Sequence, residues 1–109
     1  MNETDLRKDL FILDGHFDLT MDMLDRRERG EKNVYLNHYD RDFTAGGINC
    51  VFSALFLHDH FLPEMALRKA LCQISVLHDE IEESHGRLKL CTSTAQIKEA
   101  NSEGKLAVL

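Results

Sequence analysis

Leu10-Phe11-Ile12-Leu13-Asp14-Gly15-His16-Phe17-Asp18 decides the fold class of this chain. Its first four residues are a continuous apolar run, the pattern of a strand buried on both faces. A polar turn carrying a histidine and two carboxylates follows at once. Leu19 to Glu28 then mixes Met21, Met23 and Leu24 with charges, and Gly30 supplies a stop, so the strand is expected to feed a short helix.

The same alternation recurs downstream. Residues 29–39 read as a polar and aromatic loop. Asp40 is placed to cap a short helical turn that leads to Gly46-Gly47. Ile48 to Leu57 is a second, nearly all-apolar strand signal, followed by a loop at His58-Asp59-His60. Pro63 suits the first residue of a helix. From there Leu67, Ala70, Leu71, Ile74, Leu77, His78 and Ile81 recur at spacings of three and four. That pattern predicts an amphipathic helix to about Ser84, with the five large aliphatics as its core face and Gly86 as its stop. Leu88-Lys89-Leu90-Cys91 is a short candidate strand. Ser93 and Gln96 match a capping box, opening a helix that ends near Glu103 and Gly104. Lys105 to Leu109 begins a further apolar strand.

Strands alternating with helices imply a parallel sheet with crossover helices, an α/β fold. The expected organisation is a polar arm over residues 1–9 and an α/β unit over 10–109. The unit has about three parallel strands, the last cut short. A strand left open at its edge invites pairing, so the chain reads as the first part of a longer fold. A complete (β/α)8 barrel needs about 250 residues.

Composition narrows the function classes. The chain has 109 residues, 13 Lys+Arg and 19 Asp+Glu, a formal charge of −6. An acidic chain lacks the basic footprint of a nucleic-acid-binding module. No apolar run is long enough for a membrane span. The acidic start Met1-Asn2-Glu3-Thr4-Asp5 does not resemble a secretory signal. Cys50, Cys72 and Cys91 are odd in number and form no C-x-x-C, so they read as reduced thiols packed as small hydrophobes. A reducing, cytoplasmic setting is expected.

His16 and Asp18 are the sharpest chemical feature. They stand two apart at the carboxyl end of a strand, where period two puts both side chains on one face. In a barrel that end builds the active site. An imidazole nitrogen and a carboxylate oxygen on rigid backbone suit a divalent metal ion, most naturally zinc, although catalytic zinc usually takes three protein ligands. A histidine hydrogen-bonded to a nearby carboxylate is the plainer reading of the pair. Asp14 is placed either to orient His16 or to cap the turn. His58 and His60 form a second candidate pair at the end of the second strand, read as a polar loop. His38 lies in a loop, His78 reads as a core histidine, and His85 complements a helix end. The charge runs 25–29 and 79–83 read as solvated helix faces. Gly46-Gly47 lacks the G-x-G-x-x-G of a phosphate cradle.

Taken in order, these segments resemble the start of a membrane (renal-type) dipeptidase of peptidase family M19. Ile12 to Leu19 resembles the family's opening Asp-x-His-x-Asp strand. His38-Tyr39-Asp40, Gly46-Gly47-Ile48 and Phe52-Ser53-Ala54 resemble its second strand and the glycines before it. Thr92 to Ile97 and Glu103 to Ala107 resemble its next helix and strand entry. The resemblance implies the N-terminal part of a (β/α)8 barrel of the metal-dependent hydrolase type, with two zinc ions and dipeptide substrates. His16 and Asp18 would bind one ion. The family's bridging glutamate and remaining ligands would fall beyond Leu109, so the 109-residue chain is expected to be inactive alone. Phe17 stands where members often carry Asn or Cys, and Thr20 where some carry proline, which bears on substrate fit and loop shape. The alternative is a non-enzymatic α/β interaction protein that self-associates into a homo-oligomer through open strand edges.

Overall fold

A computed structural model describes residues 10–109; the expected arm over 1–9 lies outside the described residues, apart from which the expected α/β character holds. Four strands, β1 (Ile12–Phe17), β2 (Ile48–Ser53), β3 (Leu88–Leu90) and β4 (Leu106–Val108), form one parallel sheet in the order β1-β2-β4-β3. The helices are α1 (Leu19–Glu28), α2 (Val34–His38), α3 (Asp40–Gly46), α4 (Ala66–Glu83) and α5 (Thr94–Ser102).

The strand order corrects the expectation of about three strands with the last one open. Leu106, Ala107 and Val108 are all buried, which requires a neighbour on each side. β4 therefore lies between β2 and β3, bonded as Cys50↔Ala107 on one side and Lys89↔Ala107 on the other. The edges are instead β1 and β3. The first apolar run departs from its reading as a strand buried on both faces: Leu10 and Phe11 precede β1, which instead continues through Asp14-Gly15-His16 to Phe17, and Leu10, Phe11 and Leu13 are 58%, 56% and 44% exposed. An edge strand lacks the flanking cover that a central one has.

The reversal from β3 back to β4 also sets the layers. Crossovers between parallel strands are right-handed. A connection that runs backwards along the sheet therefore places its helix on the opposite face. One face carries Val51, Leu88, Leu106 and Val108 against Leu19, Met23, Val34, Tyr35 and Leu77 of α1, α2 and α4. The other carries Cys50 and Ala107 against Cys91 and Ala100, with Ile97 of α5 packed beside them. Cys50 and Cys91 are the small hydrophobes expected, and burial pushes both thiols up. Cys72 is half-buried on α4, and all three are free.

Three helix readings need correction. Residues 34–38 are a helix rather than loop, because Val34 and Tyr35 are buried and the Tyr35 N–H donates to Glu80 Oε1 at 2.6 Å. Asp40 does not cap α3; Tyr39 holds that place, and the Asp40 carboxylate accepts from Arg87 Nε at 3.0 Å. Pro63 precedes rather than opens α4. The Leu62–Pro63 peptide is cis, and the helix begins at Ala66 after a turn in which the Met65 N–H donates to the Phe61 carbonyl.

The largest correction is the rotation of α4. Its buried residues are Gln73, Leu77 and Glu80, whereas Leu67, Leu71 and Ile74 are 72%, 56% and 38% exposed. His78 is exposed too, so it is not a core histidine. The charges explain this. Arg27 of α1 donates to Glu80 at 2.8 Å and also pairs with Glu83. Glu80 is 1% exposed, and a buried carboxylate must be paired. Satisfying it turns Glu80 inward and the early leucines outward. The charge runs 25–29 and 79–83 are thus partly an internal ion-pair network.

The α5 start follows the sequence closely. Ser93 Oγ accepts from the Gln96 N–H at 3.2 Å, and Gln96 Oε1 accepts from the Thr92 N–H at 2.6 Å. The left-handed turn that closes α3 falls on Gly47, φ 74°, where a glycine adopts this conformation at no steric cost.

Candidate metal centre

β1 delivers its two candidate ligands through an irregular end. Between Asp14 and Phe17 it advances three residues while its partner β2 advances from Val51 to Ser53, so one extra residue bulges here. Asp14 shapes this bulge: its Oδ1 accepts from the His16 backbone N–H at 3.0 Å. Of the two roles open to Asp14, the structure thus shows one directed at the His16 backbone.

The strand ends at Phe17, and Asp18 is the N-cap residue of α1 with φ −83° and ψ 50°. Strand alternation is therefore not what joins His16 to Asp18. The bulge and the helix start do so, with His16 Nε2 lying 3.1 Å from Asp18 Oδ1. An aspartate at an N-cap ordinarily accepts a backbone N–H of the first turn. Asp18 makes no such bond. Its Oδ1 is shielded from solvent and has no hydrogen-bond partner, so the approach to His16 lacks hydrogen-bond alignment. The His16 side chain is 70% exposed. A shielded carboxylate oxygen with idle lone pairs beside an accessible imidazole nitrogen is a donor set that fits a divalent cation. Among the described residues no group of three metal-ligating side chains is present, so the fit is to half a site.

Phe17 is held on the other side of the strand. Its ring meets Tyr39 edge-on at 5.9 Å and Phe43 at 5.4 Å, with Tyr35 stacked on Tyr39 behind them. Edge-to-face pairs add directional packing to area burial. Phe17 thereby pins the backbone between the two candidate ligands, a role the sequence did not suggest. Tyr39 donates to Asp22, and burial, then this bond, push its hydroxyl well above the ordinary tyrosine range.

A second brace was missed. Thr20 and Gln73 are 0% and 2% exposed. Thr20 Oγ1 lies 2.8 Å from Gln73 Oε1 and 3.1 Å from the Ala54 carbonyl, and Gln73 Nε2 donates to the Phe56 carbonyl at 2.6 Å. The carbonyl of Phe56 fixes the amide orientation, since only the NH2 group can donate to it. Gln73 thus ties the start of α1, two residues past Asp18, to the segment leaving β2. Its signal in the sequence was a polar residue inside an amphipathic helix, with no partner visible.

His58 and His60 do not extend β2, which ends at Ser53. His58 precedes a single 3-10 turn, Asp59–Phe61, His60 lies within it, and their rings stack at 5.4 Å. Phe56 and Phe61 pack against them, and Lys69 Nζ sits 4.5 Å over the Phe61 ring. The loop reading stands. His38 is bound to Glu31 at 2.8 Å.

The family model of the membrane dipeptidases, peptidase family M19, matches residues 1–109. The chain belongs to peptidase family M19. Two solved structures share its fold. The metallopeptidase dipeptidase AC, itself of family M19, superposes with a TM-score of 0.76 at 20% identity, over 92% of this chain and 34% of its own. A metallopeptidase from Rhodobacter sphaeroides, bound to a phosphinate mimic of the dipeptide L-Ala-D-Ala, gives 0.73 at 19% identity, over 92% and 37%. This M19 chain thus spans about a third of the length of these structures. No curated protein matches it. Among the described residues no helix is long and apolar enough to cross a membrane.

Proposed function

We propose that this M19 chain carries part of a dipeptide-hydrolysing metal site, in which His16 Nε2 and Asp18 Oδ1 hold one zinc ion. The observation that carries the reading is the solvent-shielded Asp18 oxygen, which accepts no hydrogen bond and lies 3.1 Å from an accessible imidazole nitrogen. Zinc in such a site supplies Lewis-acid polarisation of a peptide carbonyl and acidification of water. The chain's own part is to place donors. Phe17 fixes the strand end from behind, Asp14 sets the bulge, and the Thr20–Gln73 pair anchors the helix start. The second zinc of a complete site, and the groups that bind the dipeptide, would need donors from outside the described residues. The 109-residue chain is accordingly inactive alone. The solved relative bound to a dipeptide mimic supports a dipeptide substrate for the whole enzyme. The three free thiols, two of them in the core, suit a reducing cytoplasm.

A dipeptide hydrolysis assay of the purified chain with and without added zinc tests this reading. No turnover above the metal-only blank is expected. Zinc-dependent hydrolysis abolished by D18N would show that the chain holds a complete site.

A further inference from the structure

Among the described residues, two buried side-chain oxygens take part in no hydrogen bond, Asp18 Oδ1 and Ser53 Oγ. The candidate metal centre accounts for the first and leaves the second unexplained. A buried hydroxyl without a partner costs free energy and is rare in folded proteins.

The two residues share one corner of the fold. Ser53 ends β2 and is the register partner of Phe17, which ends β1 directly before Asp18. The N–H of Ala54, the next residue, donates to the Phe17 carbonyl at 2.9 Å, and the Ala54 carbonyl lies 3.1 Å from Thr20 Oγ1. These contacts close a small ring in which Asp18 and Leu19 bridge from Phe17 to Thr20 across Ala54. On the other side, the Ser53 N–H donates to the Leu109 carbonyl at 2.9 Å, so its backbone is held between two neighbouring strand ends. Period two puts the Ser53 side chain on the face of Val51, the face on which α1 packs. Asp18 is the N-cap residue of that helix.

The chemistry of the two groups is complementary. Ser53 has an O–H to donate. The Asp18 carboxylate accepts, and it makes none of the N-cap bonds to the first helical turn that an aspartate there ordinarily makes. A carboxylate that ligates a metal is itself held by a hydrogen bond in most sites. Neither oxygen bonds the other in this structure, and one step about χ1 turns a serine hydroxyl to a new partner.

We propose that Ser53 is a positioning residue for the metal centre: its hydroxyl donates to the Asp18 carboxylate once a cation is bound, and so holds that ligand in place. The proposal rests on His16 and Asp18 being the metal donors.

Zinc titration of the isotope-labelled 109-residue chain, followed at the His16 ring, tests it, together with urea unfolding of the metal-free chain. S53A binds zinc at least about tenfold more weakly, the lower end of the range for losing the partner of a ligand. Its metal-free unfolding midpoint does not fall, because the lost hydroxyl bonds nothing there. A merely structural serine gives the opposite pair, a lower midpoint and unchanged affinity. S53T keeps the hydroxyl, suits a strand and restores most of the affinity. If the wild-type chain saturates with zinc at His16 and S53A binds equally well, the proposal is overturned and the half-site stands. S53T no better than S53A overturns it too. A wild-type chain with no saturable shift at His16 removes the half-site, and this inference with it. If S53A does not fold, the Ser53 Cβ resonance of the wild-type chain decides: it moves in step with His16 as zinc is added, and a resonance that stays in place overturns the proposal.

Discussion

The two faces of the sheet are built to different standards. On one, Tyr35, Leu19, Met23, Val34 and Leu77 fill a thick layer, and even its charges are satisfied, with Glu80 bonded to Tyr35 and Arg27. On the other, the packed residues are Cys50, Ala107, Cys91 and Ala100 under α5, while Phe11 and Leu13 line an open groove beside that helix. The first face holds the fold together. The second is thin, and at the carboxyl end of β1 the backbone exposes His16. Phe17 belongs to the thick face and His16 to solvent, one residue apart. The lesson is that the candidate ligands are positioned from behind, by packing on the face they do not occupy.

The comparison breaks most readily at Glu80. E80A leaves Arg27 with a lost partner and the Tyr35 N–H unpaired, and should cost about 3–5 kcal/mol of stability in urea unfolding, the range for a broken buried ion pair. Next, F17A removes the aromatic anchor behind the ligands. Large-to-small changes in full cores cost about 3–5 kcal/mol, and the half-burial of Phe17 lowers the expectation to about 2–3 kcal/mol. S93A on the thin face removes only an N-cap and should cost about 1 kcal/mol.

The smallest effect is with acid. Burial pushes Asp22 up, but its bonds to Tyr39 and Arg26 outweigh this and leave its carboxyl below the ordinary value of 3.8. A group depressed on folding adds stability that is present above its unfolded value and lost as pH falls through the folded one. Chemical unfolding at a series of pH values below about 5 should therefore show a decline that D22N makes shallower.

The sequence was most legible where one residue suffices to fix a local shape. The glycine pair at the end of α3, Ser93 and Gln96 opening α5, and the apolar segments at 48–57 and 105–109 were readable, because turn, cap and run are local, whereas β1 begins and ends later than its apolar run. It was least legible where a partner far along the chain decides. Glu80 turns inward only because Arg27 and Tyr35 meet it, across separations of 53 and 45 residues. The apolar periodicity of α4 therefore pointed rightly for Leu77 and Ile81 and wrongly for Leu67, Leu71 and Ile74. The position of β4 between β2 and β3 was hidden for the same reason, since strand order is not a local property. His16 and Asp18 were legible as a pair of donor types at a strand end. Their actual juxtaposition depends on a bulge and a helix start that the simple alternation of a strand did not foresee, and the bracing by Thr20, Gln73 and Phe17 lay out of sight.

The central claim, that His16 and Asp18 form half of a metal site, is tested most directly by titrating zinc into isotope-labelled chain and following the histidine and backbone resonances. The account predicts saturable shifts at the His16 ring and at the Asp14 to Leu19 backbone, absent in D18N while the remaining resonances keep their positions. Shifts confined to His58 and His60, or shifts at His16 that persist in D18N, would contradict it.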